Sequence, residues 1–244
     1  MIGIIGYGRF GRLAARYLAE DFDVYVYKRK EAVGAGGKGR IFGVSLEEAC
    51  RQPHVLLSVP ISALPECLQR IAPLLAPQSL VIDVCSVKEY PVRWMTAHLP
   101  QSVSILATHP MFGPDSAGES LAGMKIAVCP IRLPAARYQK IRTYLEGRQL
   151  RVLETTPEEH DRQIAVSLAL THFIGRSLAS FKAPNLPIDT EGYKRLLHIL
   201  GVVEHDTWQL FADMHRYNPY AEETRLRFMA AMRQIHEALK SSGS

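Results

Sequence analysis

Ile2-Gly3-Ile4-Ile5-Gly6-Tyr7-Gly8-Arg9-Phe10-Gly11 opens the chain with a β-branched run that passes at once into a glycine turn, and Arg9–Ala19 continues with helical spacing. Glycines spaced G-x-G-x-x-G between a strand and a helix answer a mechanical need. Gly6 permits the tight turn, Gly8 lets the backbone approach a diphosphate, and Gly11 lets the helix pack on the strand, with the helix N-terminal amides facing the anion. The stretch predicts a dinucleotide site with Gly6, Tyr7, Gly8, Arg9, Phe10 and Gly11 as its cofactor-binding residues.

Outward from that turn, short apolar runs alternate with helical patterns: Ile2–Ile5, Val24–Tyr27, Val55–Val59, Leu80–Val84, Ile105–Thr108, Lys125–Cys129 and Leu150–Leu153 read as strands. The alternation implies a largely parallel sheet with crossover helices, a Rossmann-type dinucleotide-binding domain over residues 1–155. The direction of the later strands stays open. Beyond Thr155 the β signal disappears. Pro157–Phe181, Thr190–Tyr217 and Pro219–Leu239 read as helical, separated first by the stiff turn Pro184-Asn185-Leu186-Pro187. The fold class is therefore α/β, with an all-helical C-terminal domain over 156–244. Its apolar positions (among them Ile164, Val166, Leu168, Phe173, Leu196, Leu200 and Val203) exceed what so few helices can cover, so this domain is expected to form a homodimer.

The chain has 244 residues, 47% of them hydrophobic, and a net charge of +5 from 29 basic and 24 acidic residues. The basic residues are scattered, which argues for a solvated surface and against nucleic acid. Cys50, Cys67, Cys85 and Cys129 form no C-x-x-C pair, so no metal site and no disulfide framework is expected. Apolar stretches are broken short of a membrane span, and no signal peptide, transit peptide or membrane anchor is expected; the cytoplasm is the expected location.

An Asp or Glu at the end of the second strand would favour NAD by accepting from the adenosine ribose. Here Tyr27 is followed by Lys28-Arg29-Lys30, and no carboxylate comes before Glu31. Lys28 and Arg29 are either a clamp for a 2′-phosphate or ordinary surface cations; the first reading gives NADP, with NAD possible. Ser58 and Lys88, at the ends of later strands, complete the expected cofactor set.

Chemistry is expected at the carboxyl ends of parallel strands. Asp83-Val84-Cys85-Ser86-Val87-Lys88 ends one strand with a hydroxyl, and Thr108-His109-Pro110-Met111-Phe112-Gly113-Pro114 ends the next with a histidine. A histidine beside a nicotinamide can take the proton of a substrate hydroxyl as hydride leaves the same carbon, and its ordinary pKa of about 6.5 suits that task. His109 and Ser86 are the expected catalytic residues.

These segments, with Glu159-His160-Asp161, Leu170-Thr171-His172-Phe173 and Pro187–Tyr193 through Asn218, follow the order found in prephenate and arogenate dehydrogenases. The chain resembles the compact form of that family, with Lys88-Glu89-Tyr90-Pro91 and Pro187-Ile188-Asp189-Thr190-Glu191-Gly192-Tyr193 as specific matches. The resemblance implies oxidative decarboxylation of a cyclohexadienol, His109 taking the hydroxyl hydrogen bond with support from Ser86. The helical part is expected to complete the pocket: His172 and Arg176, four apart on one helix face, either meet the substrate's carboxylates or form an exposed pair with no ligand, and Thr190 and Asp206 match family positions near the substrate side chain. An acid at the Asp206 position goes with arogenate, since a carboxylate pairs with an ammonium and repels a keto acid. Longer relatives carry a substrate-holding arginine where this chain has Gly201; Arg176, Lys194 and Arg195 are the candidate replacements. Trp208 and Phe211 read as core or dimer-interface residues. No fused chorismate mutase or regulatory domain is expected.

Two other readings compete. A β-hydroxyacid dehydrogenase or imine reductase would keep the glycine turn and a helical dimer domain but relies on a helical-domain lysine. A non-catalytic dinucleotide sensor would need the glycines and have no use for Ser86 and His109.

Overall fold

The computed structural model describes residues 1–28, 40–204 and 206–241, and the chain divides into two compact units, Met1–Pro157 and Glu158–Ser244. The glycine-rich stretch 34–39 and Arg29 lie outside the described residues.

The first unit is built on an eight-stranded sheet of order β3-β2-β1-β4-β5-β6-β7-β8. Strand β1 (Ile2–Ile5) is buried along its whole length and β4 (His54–Leu57) along nearly all of it, as central strands covered on both faces must be. Strand β2 (Val24–Tyr27) alternates buried Val24 and Val26 with half-buried Tyr25 and Tyr27, and pairs with β3 (Ile41–Gly43) at the sheet edge. Helix α1 (Arg9–Leu18) packs Ala15, Leu18 and Ala14 on Ile2, Ile4, Val24 and Val26. After β3 and the short α2 (Leu46–Cys50), the chain crosses back to add β4. Helix α3 (Leu64–Ile71), β5 (Leu80–Asp83), α4 (Glu89–His98) and β6 (Ser104–Pro110) then extend the sheet the other way. That reversal between β1 and β4 opens a crevice at their carboxyl ends, the place where such sheets receive ligands.

The sheet differs from the sequence reading in two places, an extra strand β3 and a longer β6, and answers the question of strand direction that the sequence left open. Strand β3 carries no legible pattern, being three residues long and mostly exposed. Strand β7 (Lys125–Arg132) runs antiparallel to β6, while β8 (Arg151–Glu154) is parallel to β7, with α5 (Ala135–Gly147) between them. Strand β6 does not stop at Thr108: His109 and Pro110 stay in the ladder opposite Ala127 and Ile126, so the histidine is held by strand pairing.

The second unit is helical. Helix α6 (Pro157–Ile164) passes through a π-helical turn, Ala165–Leu170, into α7 (Thr171–Phe181). Ser167 and Thr171 donate their hydroxyls to carbonyls four residues back, at 2.9 and 3.1 Å, where the widened turn disturbs the regular ladder. The run Pro157–Phe181 is 25 residues long and apolar enough to span a membrane by length and composition, contrary to the expectation that every apolar stretch is interrupted. It also carries buried His160, Asp161 and His172, groups that are costly in hydrocarbon.

The expected single helix over Thr190–Tyr217 is two: α8 (Glu191–Glu204) and α9 (Trp208–Arg216). Thr207 caps α9, its hydroxyl accepting from the Leu210 amide at 3.2 Å. A β-carbon on Gly175 would stand 2.8 Å from Val203 Cγ2, so this glycine is what lets α7 and α8 approach closely. Helix α10 (Ala221–Ser241) closes the unit, and Asn218 before it donates to the Asp161 carbonyl at 2.8 Å.

Candidate functional site

The glycine turn has the form a dinucleotide needs. Gly6 adopts φ +100°, and a β-carbon there would lie 2.1 Å from the Ser58 carbonyl oxygen. One on Gly11 would lie 2.3 Å from the Gly6 oxygen and 3.2 Å from Ser58 Oγ. Packing therefore demands the first and third glycines. Among the described residues nothing lies within 4 Å of a β-carbon built on Gly8, which leaves space where a diphosphate can approach the backbone. Gly8 is also the N-cap of α1 and brings no capping side chain, and the helix has no acid in its first turn, so its amides keep no anion of their own. The cradle fits a dinucleotide diphosphate. Gly6 N donates to the Tyr27 carbonyl at 3.1 Å, which sets Lys28 beside the turn, as the ribose end of a dinucleotide requires.

Ser86 and His109 are brought to neighbouring strand ends by the β5–β6 ladder, which pairs Leu80 with Ser104 and Asp83 with Ala107. The two residues lie three and two positions beyond that last pair. His109 is only 7% exposed, and Ser86 Oγ is buried without a hydrogen-bond partner among the described residues, a hydroxyl able to meet a ligand.

Lys88 does a different job from the one expected. It is fully buried, pairs with Asp83 Oδ2 and donates to the Thr108 carbonyl at 2.5 Å, so it is not available to a cofactor phosphate. Thr108 Oγ1 donates to the Asp83 carbonyl at 2.6 Å, and Asp83 Oδ2 also accepts from Cys85 N at 3.0 Å. This network closes the loop that holds Ser86 and fixes the residue before His109. By sequence Lys88 is expected among the cofactor residues, and nothing in the spacing of Asp83 and Lys88 marks them as a buried pair.

In the helical unit, three expected substrate residues come together. His172 is buried, with Nδ1 3.6 Å from Asp206 Oδ2 and no hydrogen-bond partner among the described residues. Arg176 donates through Nη2 to the Asp206 carbonyl, and its buried Nε has no partner among the described residues. The guanidinium lies 5.9 Å from the Trp208 ring centre and 5.7 Å from that of Phe211. Burial holds the His172 pKa below the ordinary histidine value, with Asp206 pulling it up and Arg176 pushing it down. Trp208 is 67% exposed, so it is no core residue of this chain, and its ring lies tilted against that of Phe211, 5.1 Å between centres.

Thr190 stands apart from this cluster in its contacts: its hydroxyl accepts from Tyr193 N at 3.2 Å and starts α8. Of the other candidate cations, Lys194 is engaged by Glu191 at 2.9 Å and Asp189 at 3.7 Å, and Arg195 is exposed. His215 and Arg225 were not singled out by sequence. Arg225 Nη1 lies 2.9 Å from His215 Nδ1, and Phe211 packs edge-on against the imidazole at 4.6 Å. Burial first, then Arg225 and His172, push the His215 pKa down to about 4.

Comparison with known proteins agrees with this geometry. Residues 19–154 match the prephenate dehydrogenase nucleotide-binding domain, and residues 177–243 match the TYRAAT1-like C-terminal domain. Arogenate dehydrogenase 2 of Arabidopsis thaliana is 31% identical over 98% of this chain, which spans 69% of that protein. A probable arogenate/prephenate dehydrogenase of Methanocaldococcus jannaschii is 29% identical over 95% of the chain, which spans 54% of its length. Among solved structures, the fold matches prephenate dehydrogenase from A. aeolicus, crystallised with hydroxyphenyl propionate and NAD+, with a TM-score of 0.78 at 21% identity, covering 98% of this chain and 90% of that one. Cradle, strand-end histidine and these matches together make the chain a member of the prephenate dehydrogenase family.

Proposed function

We propose that this chain oxidatively decarboxylates arogenate in preference to prephenate, with NADP in preference to NAD as hydride acceptor. The observation that carries the reading is the β5–β6 ladder, which brings Ser86 and His109 to adjoining strand ends of a nucleotide-binding sheet. His109 accepts the proton of the C4 hydroxyl, and Ser86 supports the same oxygen. A nicotinamide held by the glycine turn would supply the acceptor for the C4 hydrogen and its electron pair. The bond to the ring carboxylate breaks, its electrons enter the ring, and CO2 departs. The phenolate oxygen then recovers the proton. Aromatisation supplies the driving force, so the protein's work is orientation and proton handling.

In the helical unit, Arg176 is the cation assigned to a substrate carboxylate. It is partly buried among aromatic rings with a free buried N–H, whereas Lys194 is already engaged. Asp206, 26% exposed at its side chain, is assigned to the substrate ammonium, which supports arogenate. Lys28 beside the glycine turn supports NADP, since no carboxylate precedes it at that strand end. A second copy of the chain is the partner, covering apolar residues of α10 that are exposed in one chain.

The test is reduced-cofactor absorbance in four assays, arogenate or prephenate with NADP or NAD. Highest kcat/KM for arogenate with NADP is expected. No turnover in any of the four, with dinucleotide still bound, sinks the catalytic reading, and a kcat/KM favouring NAD removes the role of Lys28.

A further inference from the structure

One face of α1 holds the segment that continues from His109. Tyr17 Oη donates to the Ala117 carbonyl at 2.9 Å, and Arg16 Nη2 donates to the Gly118 carbonyl at 2.5 Å. One helical repeat earlier, Phe10 meets Phe112 at 6.3 Å between ring centres. Arg9 Nη2 reaches both carboxylate oxygens of Asp115, at 2.7 and 2.8 Å. Positions 9 and 10 lie seven before 16 and 17, two turns along the same face. The helix that presents its N-terminus in the glycine turn is thus the clamp for residues 112–118.

Asp115 supplies a carboxylate to the glycine turn's own arginine, and neither Gly8 nor the first turn of α1 supplies an acid. A dinucleotide diphosphate arriving at that turn competes for the same guanidinium and meets the same carboxylate. Attraction to Arg9 and repulsion from Asp115 are therefore coupled in one exposed pair.

We propose that Asp115 is a positioning residue acting through Arg9: it restrains dinucleotide binding at the glycine turn and, by the same contact, holds the segment following His109 in its working place. The inference rests on the reading of the turn as a dinucleotide site. It makes the two effects of removing the charge opposite in sign. Asp115→Asn takes that carboxylate from Arg9 and deletes a negative charge at the turn, so dinucleotide binds tighter, while the loosened segment lowers kcat. A lesion that merely damages the fold weakens both.

The experiment is fluorescence titration of NADP and NAD, with steady-state kinetics and hydrogen–deuterium exchange over residues 111–123, on the full chain. Asp115→Asn is expected to lower the dinucleotide Kd about threefold to tenfold, to lower kcat, and to speed exchange in that segment. The Kd difference from wild type should shrink as salt is raised. Asp115→Glu should restore both wild-type values. In an Arg9→Gln background, Asp115→Asn should change segment exchange no further. Unchanged or weaker dinucleotide binding in Asp115→Asn, with wild type binding normally, overturns the proposal. Absence of dinucleotide binding by wild type overturns the reading beneath it instead.

Discussion

Lys88 and Asp83 form an ion pair with neither side chain exposed to solvent, and the same Lys88 ammonium donates to the Thr108 carbonyl on the next strand. Such a pair contributes little net stability over an apolar replacement, but removing one partner strands a buried charge. Lys88→Met should therefore destabilise the chain by about 3–5 kcal/mol. Asp83→Asn added to Lys88→Met should recover part of the loss, because no uncompensated carboxylate remains. Urea unfolding of both variants checks this, and a Lys88→Met variant as stable as wild type would remove the clamp.

His109 is held in the β6–β7 ladder, not on a loop, so substituting it should leave the backbone in place. His109→Asn and His109→Ala are expected to lower kcat by about 10²–10⁴, the usual worth of a general base, with dinucleotide Kd unchanged. Ser86→Ala should have a smaller effect in the same direction. Retained turnover in both histidine variants contradicts the assignment.

Much of this was readable in the sequence because it rests on local rules. Gly6, Gly8 and Gly11 stand in a spacing whose reason is backbone geometry, and the strand ends carrying Ser86 and His109 follow from alternation. What was not readable rests on contacts between distant residues. Lys88 looks like any cation after a strand until burial gives it Asp83 and Thr108 as partners. Arg225 meets His215 and Arg9 meets Asp115 only because helices and loops pack. The break before α9 did have a local signal, since Thr207 before Trp208-Gln209-Leu210 is an N-cap pattern, but the apolar spacing on either side reads through it.

Arg176 and Asp206 share a hydrogen bond in the helical unit yet are assigned to opposite charges of the substrate. Arg176→Gln should raise KM for arogenate and prephenate alike by about tenfold or more, the worth of a charge-assisted hydrogen bond. Asp206→Asn should raise KM for arogenate and spare or improve prephenate, because only arogenate carries the ammonium. Steady-state kinetics with both substrates separate the two. Equal losses for both substrates in Asp206→Asn would show that the carboxylate does not read the amine.

His215 and His172 both have pKa values below the ordinary histidine value, His215 at about 4, with burial as the first cause. The unfolded chain therefore binds more protons than the folded one between about pH 4 and the ordinary value of 6.5. Stability should be full above about pH 6.5 and fall as pH drops through that window, His215 accounting for at most about 3 kcal/mol. Around these imidazoles, Arg225 and Arg176 oppose protonation and Asp206 favours it. His215→Phe should flatten the pH dependence of urea unfolding while leaving the His172 share. An unchanged slope would show that His215 titrates as it does in the unfolded chain.

Met232, Ile235 and Leu239 lie on α10 at spacings of three and four, and are 56%, 64% and 71% exposed in the single chain. That spacing puts them on one face of the helix, and a stripe of large apolar side chains left in water marks an interaction surface. The homodimer proposed above would cover this stripe with the same stripe of a second copy about a two-fold axis. Wild-type protein should therefore sediment as a dimer at micromolar concentration. Ile235→Asp combined with Leu239→Asp should give a monomer, because two carboxylates in the buried stripe would lack partners. Dinucleotide titration of that variant reports whether the first unit is intact. Wild-type protein that sediments as a monomer, or a double variant that remains dimeric, would rule out this face as the contact.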